Sequence, residues 1–331
     1  MATREYRSLD QAEALALLRV PAPTLICCHA RPDADCLGSA FALSLWLSAM
    51  GSPARVVCAD EIPERLRFLV GDLQESILPA SIPAEFADAR VISADTSAPS
   101  QMDKLFPIFG DRVSLMIDHH AKGEPYADHL IMQTAACAEI VQDLIALSGV
   151  EVPQKTAELL YAGIVSDTGC FRHSNVTRET HLHAAALVET GLDVAEMTRK
   201  LFETKSFAQM RAEHAGFERL SLYREGRVAL VTFPLALREE MGLADEHLGT
   251  LIDVARTVSG VLVAASLRET EKGVYRGSLR ANADLDVAAV AATFGGGGHK
   301  RAAGLTIHAE GMEEAANKLL AAIGDMGGIL K

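Results

Sequence analysis

Aromatic residues make up only 5% of the 331-residue chain and tryptophan occurs once, at Trp46. So few rings argue against an extended base-stacking platform of the kind that grips long single strands. Cysteine is also sparse: Cys27, Cys28, Cys36, Cys58, Cys137 and Cys170 include no C-x-x-C pair, which speaks against a disulfide framework or a zinc ribbon. No stretch reaches the roughly 18 uncharged apolar residues of a membrane span. Near the N-terminus, Arg4, Glu5, Arg7, Asp10 and Glu13 stand where a secretory signal needs an apolar core. A reducing cytoplasm and no membrane partner are expected. Basic residues are outnumbered, 31 Lys and Arg against 44 Asp and Glu, for a net charge of −13. That balance opposes tight binding to long duplex nucleic acid, where phosphate neutralisation supplies most of the affinity. A small anionic substrate held by metals remains compatible with it.

What is present suffices for ordinary folding: 49% of residues are hydrophobic and 23% charged, and the length suggests two domains. Ser8-x-x-Gln11 has the form of a capping box opening a helix that Pro21 and Pro23 stop. Short apolar runs at Thr24 to Cys28, Arg55 to Ala59, Arg90 to Ala94 and Val113 to Ile117 read as buried strands. Helical patterns alternate with them at Leu37 to Met50, closed by Gly51, at Ala138 to Ser148, closed by Gly149, and from Pro153 to about Val165. Strands alternating with helices predict a parallel α/β sheet. From Thr177 to Tyr223 the pattern reads as helical, as a connection between domains would. The expected organisation is a first domain over 1–187, a helical linker over 188–215 and a smaller α/β domain over 216–331. In the last, strands are expected at Val228 to Phe233, Val261 to Leu267, Tyr275 to Arg280 and Leu305 to His308. Helices are expected near His247 to Val258, Asp286 to Phe294 and Gly311 to Ile323.

The first predicted strand runs into HARPDAD, which puts His29, Asp33 and Asp35 just beyond its carboxyl end. Taken alone, this is equally a solvated turn with Asp35 capping the next helix. Further copies of the pattern shift the balance: one strand ends at Asp95, another in Asp118-His119-His120, and the apolar segment AGIVSDTG delivers Asp167. Open α/β sheets bind ligands outside the carboxyl ends of their strands, so these groups can converge. Clustered carboxylates of this density need divalent cations or raised pKa values. Imidazole and carboxylate donors without thiolates suit Mn²⁺, Fe²⁺, Co²⁺ or Mg²⁺. Cys28 and Cys36 adjoin the cluster and read as small buried hydrophobes. Arg172 and His173 read equally as crevice or surface residues, His181 and His183 as ordinary, and Trp46 as core.

HARPDADCLGS, VISADT, MIDHH and GIVSDTGCFRH resemble, in order and spacing, the four motifs of the DHH phosphoesterase family. SLRA at 278–281 and GGGGHKRAAG at 295–304 resemble the type 1 DHH-associated domain. The resemblance implies a parallel-sheet DHH domain, a helical linker and a DHH-associated domain, with the active site in the cleft between them. It implies two divalent ions, with Mn²⁺ foremost. His29, Asp33 and Asp95 would hold one, and Asp35, Asp95, His119 and Asp167 the other, Asp95 bridging. His120 would contact substrate or donate a proton, and Asp118 would stand behind it as an orienting or alternative ligand. Such a pair of ions activates water and stabilises phosphoryl oxygens during in-line attack.

Four glycines in a row read as a flexible linker, but the basic tail and preceding helix favour an anion-binding loop, particularly if Gly298 to Ala303 opens a short helix. The stretch from Arg268 to Arg301 carries six Lys or Arg against four acids. The resemblance gives Arg280 and His299 to a terminal phosphate, with Gly296, Gly297, Gly298 and Arg301 beside them. A chain of this size is most similar to the family's bifunctional oligoribonucleases, which degrade two- to five-nucleotide RNA and dephosphorylate 3′-phosphoadenosine-5′-phosphate, and relatives of this kind often dimerise. Alternatives are a phosphodiesterase for cyclic or linear dinucleotides, a RecJ-type single-strand exonuclease, for whose added domain the chain has little room, and a non-catalytic nucleotide-binding protein, against which the filled ligand positions argue.

Overall fold

The computed structural model describes residues 5–71, 73, 82–120, 123–324 and 326. It divides into two compact units, Met1–Thr204 and Lys205–Lys331. In the first, strands β1 (Thr24–Cys27), β2 (Ala54–Val57), β3 (Arg90–Ala94), β4 (Val113–Asp118) and β5 (His129–Ile131) form one sheet in the order β2-β1-β3-β4-β5. All its pairings are parallel. The short apolar runs suit a sheet covered on both faces: Ile26, Ile92 and Ile117 enter one core, and Leu25, Cys27 and Val91 the opposite one.

The helices of this unit are α1 (Gln11–Leu18), α2 (Ala34–Ala49), α3 (Arg67–Val70), α4 (Pro99–Met102), α5 (Phe106–Phe109), α6 (Cys137–Ser148), α7 (Gln154–Asp167), α8 (Arg178–Val188) and α9 (Val194–Thr198). The α2 helix is buried through most of its length and packs closely on α7. Gly38 allows the approach, since a Cβ there would lie 2.3 Å from the Leu159 carbonyl oxygen. Two expectations need correction here. Asp10, not Ser8, caps α1, in a reciprocal box with Glu13, because Ser8 lies in a bridge with His129 at the sheet edge. The helix after Pro153 runs on to Asp167, so that carboxylate stands at a helix end.

The second unit has a six-stranded mixed sheet in the order β10-β11-β9-β8-β7-β6. Its strands are β6 (Leu220–Tyr223), β7 (Val228–Phe233), β8 (Val263–Glu271), β9 (Val274–Ala281), β10 (Gly297–His299) and β11 (Ala302–His308). Only β7 and β8 pair in parallel. Helices α10 (Phe207–Glu218), α11 (Leu235–Glu240) and α12 (Leu251–Arg256) belong to one side, and α13 (Val287–Ala292) and α14 (Met312–Ile323) to the other. The β6 strand falls where the sequence reads as helix. Leu220 and Leu222, two positions apart, share a face in a strand and not in a helix, and the turn before β7, with Gly226 at φ +84°, makes the pair of strands a hairpin. The helix expected from His247 to Val258 is divided, a 3₁₀ turn over Asp245–Leu248 preceding α12.

The glycine run also departs from expectation. Gly298 to Ala303 opens no helix; β10 and β11 form a hairpin that pairs Gly298 with Ala303 and His299 with Ala302. Gly298 sits at φ +144°, and a Cβ there would lie 2.4 Å from the Ala302 carbonyl oxygen. At Gly296 a Cβ would lie 2.2 Å from the Gly304 oxygen. These two glycines let the strands meet. Among the described residues, no helix is long and apolar enough to cross a membrane.

Candidate metal centre

Everything gathers at the carboxyl edge of the first sheet. His29 follows β1, Asp95 follows β3, Asp118 ends β4 and His119 and His120 come next, while Asp33 and Asp35 open α2 and Asp167 closes α7. Asp95 adopts φ +56°, rare for a non-glycine residue, with its N–H donating to the Ile117 carbonyl at 2.9 Å. Backbone strain of this kind persists where the surroundings enforce it.

Asp33 and Asp35 have different neighbours. Asp33 is the N-cap of α2, its Oδ1 accepting from the N–H groups of Asp35 and Cys36 at 3.1 and 3.0 Å. The capping carboxylate is therefore Asp33, not Asp35. The Asp35 carboxylate is fully buried and accepts from the N–H groups of Cys137 and Ala138, at 2.6 and 2.9 Å, and from the Ser39 hydroxyl at 3.2 Å. Those N–H groups begin α6, which offers its positive end to the carboxylate. Gly163 leaves the space, because a Cβ there would lie 2.6 Å from Asp35 Oδ1.

The histidines are oriented by what holds their Nδ1 atoms. His119 Nδ1 lies 3.2 Å from the Thr134 carbonyl and His29 Nδ1 2.9 Å from the Ala30 carbonyl. A carbonyl only accepts, so both rings carry the Nδ1 proton and present a bare Nε2 when neutral. Each Nε2 faces carboxylates: that of His119 is 3.4 Å from both Asp95 Oδ1 and Asp167 Oδ2 and 3.9 Å from Asp35 Oδ2. That of His29 is 3.6 Å from Asp95 Oδ2 and 3.7 Å from Asp33 Oδ1. His120 differs, giving Nδ1 to Asp118 Oδ1 at 2.7 Å.

Among the described residues, the ion pairs of these carboxylates run to imidazoles rather than to lysine or arginine, and five acids face three rings. Asp95 Oδ1 and Asp118 Oδ2 are buried without a hydrogen-bond partner among the described residues. With no cation to neutralise it, the cluster must redistribute protons. Burial, and then the Asp95 charge, push the Asp35 carboxyl up to about 8, and burial likewise raises Asp167 well above the carboxylate range. Burial also opposes charge on Asp95, but the adjacent His119 and His29 rings, charged when protonated, overcome it and hold that carboxyl low. His119 is pushed up to about 11, its own desolvation outweighed by Asp95 and Asp35. A divalent cation supplies the missing charge directly, and the nitrogen and oxygen donors fit one. Among the described residues, three sets have ligand atoms mutually within 4.8 Å: His29, Cys36 and Asp95; Asp95, His119 and His120; and Asp35, His119 and Asp167. Asp95 belongs to two of them.

The DHH family's N-terminal domain model matches residues 23–164, and the DHHA1 domain matches residues 229–325. The bifunctional oligoribonuclease and PAP phosphatase NrnA of Thermus thermophilus is 32% identical over 93% of this chain and 91% of its own length. The chain belongs to the DHH family. The Bacillus subtilis protein of the same description is 28% identical over 85% of this chain and 88% of its own. Among solved structures, an exopolyphosphatase-related protein from Bacteroides fragilis superposes with a TM-score of 0.88 at 23% identity, covering 97% of both chains.

Sequence reasoning on this DHH chain missed the groups that act through backbone or space: the Thr134 carbonyl, the Cys137 and Ala138 N–H groups and Gly163. It also left Cys36 outside the ligand set, although its thiol lies within reach of His29 and Asp95. In the DHHA1 unit, Arg280 is half-buried on β9, where desolvation lowers its pKa. Arg301 lies 3.7 Å and Lys300 2.8 Å from Asp284, which takes up part of the expected basic excess. Gly297 is open to space. The His299 side chain lies outside what is described.

Proposed function

We propose that this protein is a two-metal phosphoesterase that hydrolyses short oligoribonucleotides, linear dinucleotides included, and dephosphorylates 3′-phosphoadenosine-5′-phosphate in the cytoplasm. The observation that carries the reading is the pair of histidines locked with Nε2 facing a cluster of unneutralised carboxylates. The names of the Thermus and Bacillus relatives support the substrate class. In this reading His29, Asp33 and Asp95 hold one divalent ion, and Asp35, Asp95, His119 and Asp167 a second; Mn²⁺ fits the nitrogen–oxygen donor set, as do Mg²⁺, Co²⁺ and Fe²⁺. The ions supply charge for the phosphoryl oxygens and acidify water. His120, oriented by Asp118 through Nδ1, would donate a proton toward the leaving group. Asp95 sits on a strained backbone that fixes its two oxygens toward different histidines. In the second unit, Arg280, His299, Arg301 and the hairpin backbone at Gly296, Gly297 and Gly298 hold a substrate phosphate away from the reacting one.

The test is a panel assay on the full chain with Mn²⁺, offering 3′-phosphoadenosine-5′-phosphate, pApA, a 5-mer, a 24-mer and cyclic di-AMP. The expected order places pApA, the 5-mer and 3′-phosphoadenosine-5′-phosphate well above the other two. Fastest turnover of cyclic di-AMP, or equal rates per end for the 5-mer and 24-mer, overturns the substrate assignment.

A further inference from the structure

Within the second unit, β8 and β9 set Arg268 directly opposite Arg276, and like charges so placed destabilise a sheet. Arg238 of α11 joins them, so that three guanidiniums surround the single carboxylate of Asp245. Arg268 occupies it, with Nε 2.8 Å from Oδ1 and Nη2 3.2 Å from Oδ2. Arg238 and Arg276 stand off at 3.7 and 3.9 Å, beyond hydrogen-bond reach. Glu269, the nearest acid along β8, is committed elsewhere: it accepts from the N–H groups of Leu235 and Gly273 and from the Tyr275 hydroxyl. Arg238 is anchored by donating to the Thr270 carbonyl at 3.2 Å. Side-chain exposure is 18% for Arg238 and Arg268 and 44% for Arg276. Arg238 and Arg268 are thus held by hydrogen bonds and largely covered, and Arg276 beside them is the more exposed of the three.

Three arginines share the one carboxylate of Asp245, a surplus of two positive charges in a chain whose net charge is −13. Planar, multiply donating guanidiniums in surplus suit a phosphate group. We propose that Arg238, Arg268 and Arg276 form a second phosphate site, which takes a phosphate of an oligonucleotide further along the strand than the one held at Arg280. Arg276 and Arg280 lie on one face of β9, four residues and about 13 Å apart. The single internucleotide link of a dinucleotide does not span that distance, whereas a strand of several nucleotides does. The inference rests on the substrate class proposed above, while the site's chemistry also admits a free phosphorylated small molecule.

The experiment compares the Mn²⁺-loaded wild-type chain with Arg276→Gln and with the double variant Arg238→Gln/Arg276→Gln, reading KM for pApA and for a 5-mer and the thermal midpoint with and without inorganic phosphate. The double variant is expected to raise KM for the 5-mer at least tenfold and to leave that for pApA within twofold. Phosphate is expected to raise the melting temperature of the wild type more than that of either variant. Equal changes in KM for both substrates, or none for the 5-mer, overturn the distal-strand assignment. A melting temperature that drops by several degrees in Arg276→Gln without phosphate, with no loss of phosphate response, makes the cluster a purely structural ion pair and overturns the site. If neither oligonucleotide is a wild-type substrate but the phosphate response still depends on Arg276, the substrate reading fails and the site stands as one for a small free anion.

Discussion

In the first unit the candidate chemistry is buried, oversupplied with negative charge and held from behind: Asp35 by two N–H groups of α6, His119 and His29 by backbone carbonyls, Asp95 by a strained backbone. In the second unit the candidate phosphate contacts belong to a hairpin and to arginines of the central strands β8 and β9 and of α11, and the charge there is positive. The contrast follows from what each has to hold. Small cations need closely spaced anionic donors whose mutual repulsion is tolerated only when the ion is present, and burial strengthens every term. A phosphate within a flexible strand needs donors spaced along a surface, with water free to leave and return. Changes in the first unit should therefore act on turnover and metal content, and changes in the second on KM.

The strongest test of that division is Asp95→Ala. Because both of its oxygens face histidines and Asp95 belongs to two of the three potential ligand sets, its loss should lower turnover at least a hundredfold, about 2.7 kcal/mol in the barrier. Metal content measured on the purified variant should drop with it. Retention of more than a tenth of wild-type turnover removes Asp95 from its bridging place. Next in size is Arg280→Ala, which should keep full metal content and raise KM for pApA by about tenfold or more, since a charge-assisted contact to phosphate is worth roughly 1.5 to 3 kcal/mol. Hydrolysis of bis-p-nitrophenyl phosphate, which has no second phosphate, should change little. Equal losses on both substrates with metal bound would put Arg280 at the reacting centre and end the contrast.

Gly163→Ala probes the support rather than the ligands. Its methyl group would lie 2.6 Å from Asp35 Oδ1 and 2.8 Å from the Ala138 Cβ, so either Asp35 or α7 must shift. Overpacking of this kind costs about 1 to 3 kcal/mol, and a displaced Asp35 should weaken metal binding. Unchanged thermal stability together with unchanged metal affinity would show that the packing there is looser than these distances.

The strand-end residues His29, Asp95, Asp118 and His119 were legible in the sequence because each follows a short apolar run, and a parallel sheet gathers such ends automatically. Roles that depend on packing were not. Nothing near Gly163 in sequence announces that it lies against Asp35 across more than 120 intervening positions. Asp35 reads as a possible cap in place of Asp33 because both are good caps two residues apart, and only the burial of Asp35 under α6 separates them. The conformation of the glycine run is open in the sequence for a similar reason. Glycine permits both a helix-opening loop and a close hairpin, and what decides is pairing with Ala302 and Ala303, residues whose own strand extends further back than their apolar pattern shows.

The smallest effect sharpens the comparison from within the first unit. His183 on α8 is an imidazole beside carboxylates, as in the cluster, but its main partner is a single acid: Nε2 lies 2.8 Å from Asp143 Oδ1, and Glu139 is more distant at 3.9 Å. The hydrogen bond to Asp143 raises the His183 pKa, partly offset by desolvation. A histidine whose folded pKa lies above its unfolded value of about 6.5 stabilises fully below that value, and the contribution fades as pH rises through the folded pKa. His183→Gln should therefore lower stability at pH 5.5 by no more than about 1 kcal/mol, the usual scale for a partly exposed pair, and by less at pH 9. Metal content and turnover should stay at wild-type levels, because this pair satisfies itself without a cation. Urea titrations of both proteins at the two pH values provide the measurement. A larger loss at pH 9 than at pH 5.5 would mean that His183 is neutral in the folded protein, and a loss of bound metal would mean that the cluster extends beyond the residues at the strand ends.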